Sequence, residues 1–112
     1  MSETKSCQHG FQKDPFTVRC DIPKVEKWSF DKQGSRKDSY VFHHEHERSD
    51  ATIKVFRPMH GQNWCVSILG NRRFQPEYLA GGNSMKHDAT RQEAMELAKA
   101  YMLLHPMGRK EY

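Results

Sequence analysis

No run of apolar residues in this 112-residue chain approaches the roughly 20 that a membrane-crossing helix needs. There is no glycine-rich phosphate loop, no serine nucleophile elbow and no CxxC redox pair. The common nucleotide-binding, esterase and thioredoxin-like readings fall away with them. Residues 1–10 are polar and lack the apolar centre of a secretory leader, so a cytoplasmic location is expected. Cysteine is scarce and odd in number, with Cys7, Cys20 and Cys65 only, and a reducing compartment would keep all three as thiols. Apolar residues make up 36% of the chain, below the usual ~45–50%, so some segments are expected to lie outside any core.

What is present suffices for one domain with one modest core. Two Trp, four Tyr and six Phe supply bulk for a packed sheet. Lys and Arg total 18 against 14 Asp and Glu, a net +4 that leans towards an anionic partner but is also an ordinary solubility charge.

The strongest local pattern lies in residues 88–106. Thr90 and Glu93 have capping-box spacing, in which the hydroxyl and the carboxylate each accept the other residue's backbone N–H. Ala94, Leu97, Ala98, Tyr101 and Leu104 recur at intervals of three and four, on one predicted helical face. Arg91, Glu96 and Lys99 are expected away from it. Pro106 should end the helix at His105. A helix of about 15 residues is marginal alone in water and needs a surface to rest on.

That surface is predicted upstream. Val25, Trp28 and Phe30 suggest a first strand. Residues 39–46 alternate, with Tyr40 and Phe42 on one face and Val41, His43 and Glu45 on the other. Residues 51–57 and 64–69 read as two more strands, with Ile53 and Val55, and Trp64, Val66 and Ile68, facing inward. Arg72-Arg73-Phe74 is expected to begin a short fifth strand that Pro76 limits. The predicted organisation is a tail over 1–23, a single α+β domain over 24–106 and a second tail over 107–112. The domain is an antiparallel meander of four to five strands packed on one carboxy-terminal helix. The sheet face away from the helix is expected to stay open.

Trp64-x-Val66-x-Ile68, then Thr90, Glu93, Ala94, Ala98 and Tyr101, loosely resembles the sheet-plus-helix DNA-binding domains of the AP2 and integrase amino-terminal type, over residues 39–105. The resemblance implies a sheet that reads the major groove with a helix behind it. The family's opening Tyr-Arg-Gly signature is missing here. Its strands also carry several exposed Arg, where this chain offers His43, Thr52, Lys54, Phe56, Cys65 and Ser67. Base-contacting roles are therefore not carried over.

Arg36-Lys37 and Arg72-Arg73 fall in predicted turns, with Lys54 and Arg57 nearby. The leading expectation is a small non-catalytic module without a cofactor that contacts nucleic-acid phosphates through Arg36, Lys37, Lys54, Arg57, Arg72 and Arg73. His43, Trp64 or Phe56 would offer stacking surface. Three alternatives stand beside it. The first is protein docking through an open sheet face bearing Val41, Phe56 and Leu69. Phage-encoded inhibitors of host nucleic-acid machinery, anti-CRISPR proteins among them, share this size, so a phage or mobile-element origin is expected by class analogy. The second is a zinc site, for which Cys7, His9 and Cys20 supply three ligands, or His44 and His46 supply two. The third is metal-free RNA cleavage by a histidine pair, His44 and His46 sharing one strand face. Against both histidine readings, the 43–47 run is expected at a solvated strand end. Asp14, Asp21, Asp31 and Asp38 are expected as turn residues.

Overall fold

The computed structural model of the chain describes Cys7 and residues 9–45, 51–59, 61–70, 76–82 and 84–106. The elements run β1 (Phe11–Gln12), β2 (Ile22–Pro23), β3 (Trp28–Phe30), β4 (Ser39–His44), β5 (Thr52–Phe56), β6 (Cys65–Leu69), β7 (Glu77–Ala80) and α1 (Arg91–Leu104). Strands β3 to β7 form an antiparallel meander in sequence order, and β1 pairs with β2 in a separate two-stranded ladder. The α+β class, the meander and the carboxy-terminal helix agree with the sequence reading. Among the described residues no helix is long and apolar enough to cross a membrane.

Strand parity builds the core. Tyr40, Phe42, Ile53, Val55, Val66 and Ile68 all face one side and are essentially inaccessible to solvent. Cross-strand register aligns Phe42 with Ile53 and Ile53 with Ile68, so the apolar side chains form continuous rows. Helix α1 lies over this face, against β2, β5 and β6. Its amino terminus carries the full capping box: the Glu93 N–H donates to the Thr90 hydroxyl at 3.2 Å and the Thr90 N–H to the Glu93 carboxylate at 3.0 Å. At the other end the Trp28 indole N–H donates to the His105 carbonyl at 3.1 Å.

Five expectations need correction. The helix buries Ala94, Met95, Ala98 and Met102, with Leu97 and Tyr101 at the flanks, while Leu104 is 76% exposed. The stripe is thus centred on the Ala94–Ala98–Met102 row, and the last turn overhangs the sheet. Second, the last strand of the meander among the described residues is Glu77–Ala80, beyond the Pro76 expected to limit a strand begun at Arg72-Arg73-Phe74; residues 71–75 lie outside the described residues. Third, residues 9–23 fold back onto the domain at Phe11, Asp14, Ile22 and Pro23, while residues 15, 16 and 18–20 stay exposed. Ile22 is wholly buried, and the Lys99 ammonium sits 4.3 Å from the Phe11 ring centroid. Fourth, Cys7 and Cys20 are joined in a disulfide with their Cα atoms 5.3 Å apart, and Cys65 alone is a free thiol. Fifth, the open face is partly covered. Cys65 and Ser67 point away from the helix yet are buried, because Tyr78 pairs opposite Ser67 and Gly81 abuts the Cys65 sulfur. Gly81 has φ +73°, and a Cβ there would meet that sulfur, so the covering turn requires glycine.

Candidate anion-binding cleft

At the end of the sheet where β4 begins and β5 finishes, a cleft of about 460 Å³ opens to solvent. Thr17, Arg19, Lys37, Asp38, Arg57, Gln62, Trp64 and Arg91 line it. Local chemistry explains how these side chains converge. Arg36 and Ser39 exchange backbone hydrogen bonds of 2.8 and 2.9 Å around Lys37-Asp38. Asp38 sits at φ +67°, the left-handed region that Asp tolerates better than most residues. The tight reversal projects Lys37 into solvent at the cleft. It also aims the Asp38 carboxylate at Arg57, which donates to it at 2.8 Å, while the Arg57 N–H meets the Asp38 carbonyl at 3.0 Å. β5 ends at Phe56, and Arg57 is the exposed residue between the strand and Pro58.

The back wall is a charged cluster that the sequence reading did not assemble. Arg91, expected on the solvent side, points inward with its side chain only 12% exposed. Its guanidinium grips Asp21 through two hydrogen bonds of 2.8 and 2.9 Å. It also donates to Asp14 at 2.6 Å and to the Tyr40 hydroxyl at 2.9 Å, and Tyr40 in turn donates to Asp14 at 2.8 Å. The guanidinium carbon lies 5.0 Å from the Tyr40 ring centroid and 5.5 Å from that of Trp64. Asp14 is wholly buried and accepts the Phe16 N–H at 2.8 Å. Burial alone would raise its pKa; the donors from Phe16, Tyr40 and Arg91 outweigh that and hold the carboxyl below the usual range. Burial pushes the Tyr40 hydroxyl up despite Arg91. Burial likewise disfavours the Arg91 charge, and the hydrogen bonds the guanidinium donates to Asp21, Tyr40 and Asp14 more than offset it, so it is permanently charged.

This cluster decides where the cleft's free charge lies. Arg57 is matched by Asp38, and Arg91 by Asp14 and Asp21. Arg19 and Lys37 are exposed and have no acidic partner among the described residues; Arg19, Lys37, Arg57 and Arg91 together face Asp14, Asp21 and Asp38, and the net positive charge that remains rests on the first two. Trp64 is 7% exposed, with Tyr40 beside it and Arg91 over it, which leaves little ring for a base to stack on.

Of the residues expected to make contacts, the cleft gathers Lys37 and Arg57. Arg36 is exposed in the same turn but outside the lining. Lys54 projects from the opposite sheet face, its ammonium 5.2 Å from the Phe56 ring centroid. Arg72 and Arg73 lie outside the described residues. Arg19 and Thr17 were missed because 1–23 reads as a tail; the disulfide spacing and the apolar Ile22 were the available signals that this stretch folds back.

The histidine run splits across the sheet. His44 is buried rather than solvated, its Nε2 2.8 Å from the Pro106 carbonyl and its ring edge-on to Trp28 at 5.0 Å. His43 faces outward between the Thr52 hydroxyl at 3.1 Å and the Asp31 carboxylate at 3.0 Å. The Gly34 backbone N–H and His43 hold Asp31 below the usual carboxylate range. His46 lies outside the described residues. The disulfide consumes both thiolates of the Cys7, His9 and Cys20 set, and among the described residues no group of three or more His, Cys, Asp or Glu is placed to hold a metal ion. In comparison with known proteins, no protein family, no curated protein and no solved structure matches the chain.

Proposed function

We propose that this protein is a small non-catalytic module that binds nucleic-acid phosphates in the cleft at the end of its sheet. The observation that carries the reading is the convergence of Arg19, Lys37 and Arg57, from three separate segments, on one recess, with Arg19 and Lys37 lacking an acidic partner among the described residues. Unpaired exposed cations release condensed counterions on meeting a phosphate chain, whereas cations already matched by carboxylates gain less. The enclosed Trp64 argues for contact with backbone rather than with bases, so binding is sequence-tolerant. Gln62, exposed at the cleft, supplies a neutral donor for a further phosphate oxygen.

The test is a titration of fluorescein-labelled duplex DNA and single-stranded RNA across ionic strength. Binding should weaken steeply with salt. Arg19→Ala and Lys37→Ala should each lower the log–log salt slope by about 1. No binding to either probe at low ionic strength would refute the reading.

A second reading, docking onto an acidic protein, draws on Val18 and Met59. They are 85% and 91% exposed and flank cleft-lining segments. Partners captured from a native extract that survive nuclease treatment would favour it over nucleic acid.

A further inference from the structure

Arg19 is one of the two cleft-lining cations without an acidic partner among the described residues, yet it rides on an arm that burial hardly holds. Phe16, Val18, Arg19 and Cys20 are all exposed and only Thr17 is half-buried. Two ties keep the far end of the arm in place. One is the backbone hydrogen bond from the Asp14 N–H to the Arg19 carbonyl at 2.8 Å. The other is the disulfide from Cys20, next in sequence to Arg19, to Cys7. It closes a loop of sequence separation 13 that contains every residue of the arm. The turn at residues 9–10 is held separately, by the Lys24 N–H donating to the Gly10 carbonyl at 2.8 Å beside the β1–β2 ladder, which is two residue pairs long. Cys20 is exposed, so a reductant reaches it directly.

We propose that the Cys7–Cys20 disulfide sets the anion affinity of the cleft by holding Arg19 over it. A dithiol attacks one sulfur of the bond and the S–S link breaks through a mixed disulfide. The two cysteines leave as thiols, taking two electrons and two protons overall, and the dithiol is oxidised to its own disulfide. Between the Arg91 clamps on Asp14 and Asp21, residues 16–20 then lose their covalent tie and keep the Phe16–Tyr40 ring contact and the Asp14–Arg19 backbone hydrogen bond, so the Arg19 end regains chain entropy and ordering it on the ligand must be compensated anew. Asp14 and Asp21 stay clamped by Arg91, so the sheet, helix and Lys37 side of the cleft are unaffected. The switch is local, and it rests on the phosphate-binding reading.

The test compares oxidised protein with protein reduced by dithiothreitol, using the fluorescein-labelled duplex DNA. Affinity should fall about fivefold on reduction, the worth of one exposed ion contact. The log–log salt slope should fall by about 1. In Arg19→Ala the redox dependence should vanish, since the group being positioned is gone. A Cys7→Ser/Cys20→Ser variant should match the reduced protein with or without reductant, with an unchanged helical circular dichroism signal. Equal affinities in the two forms, or a redox effect that persists in Arg19→Ala, would overturn the switch and leave the phosphate reading standing. Global unfolding on reduction would overturn a local switch. Failure of the oxidised protein to bind DNA at all would overturn both.

Discussion

Arg91 occupies the first turn of α1, where unsatisfied N–H groups make a cation unfavourable by themselves. Asp14 and Asp21 reverse that balance by bringing two carboxylates to the same end of the helix. The arrangement is also a liability, because removing the cation strands a wholly buried carboxylate. Arg91→Met should lower stability by about 3–5 kcal/mol, read as a shift in the urea midpoint at neutral pH. Asp14 makes the cluster pH-dependent. Its folded pKa is depressed below the ordinary 3.8, so its contribution is present above about pH 4 and drains away as pH falls through the folded value. Asp14→Asn lacks that titration. The variant should be less stable than the parent at pH 7, and the gap should narrow as unfolding is repeated below pH 3.8. A gap that stays constant with pH would show that the carboxylate's charge is not what the cluster uses. Little of this was legible in the sequence. Asp14 and Asp21 look like ordinary turn residues, and nothing local to Arg91 says that a segment 70 and 77 positions away will return to meet it.

At the scale of elements, local rules carried much of the fold. Strand parity placed Tyr40, Phe42, Ile53, Val55, Val66 and Ile68 inward, and the capping box fixed where α1 begins. Parity also contained the answer for His44, two residues beyond Phe42 on the same face; its place near the strand end suggested solvent, but the Pro106 carbonyl satisfies it inside. The helix stripe was legible in outline and wrong in rotation. Leu104 and Met102 look equally apolar in sequence, and only the footprint of the sheet decides between them. Met102→Ala should therefore cost about 2–5 kcal/mol. Leu104→Ala should stay within about 0.5 kcal/mol, as expected for an exposed site. Thermal or urea unfolding of the two variants side by side checks the rotation. Comparable losses from both would mean that the last turn packs on something.

For the whole molecule, the decisive question was which cations the fold would bring together. Turn chemistry exposed Lys37 and Arg57, but their convergence depends on β4 starting at the end of the sheet where β5 finishes, which is topology rather than composition. Arg19 required the return of the amino-terminal segment. Lys54 illustrates the converse, since period-two alternation sends it to the face away from the cleft. Docking at the sheet end and reading by the sheet face, as the AP2 and integrase likeness implies, are therefore separable. Lys54→Ala should leave the salt slope for DNA binding unchanged if the sheet end is the contact. A decrease of about 1 would assign the contact to the outer face instead.

The two indoles of the chain stand at opposite ends of the only helix described: Trp64 beneath the Arg91 guanidinium at its start, Trp28 bonded to the His105 carbonyl at its finish. Each is thus a built-in optical probe of a different seam. With Trp28→Phe, emission comes from Trp64 and reports on whether the Arg91 guanidinium stays seated over it. With Trp64→Phe, it reports solely on fraying of the final turn, so loosening of one seam can be timed independently of the other.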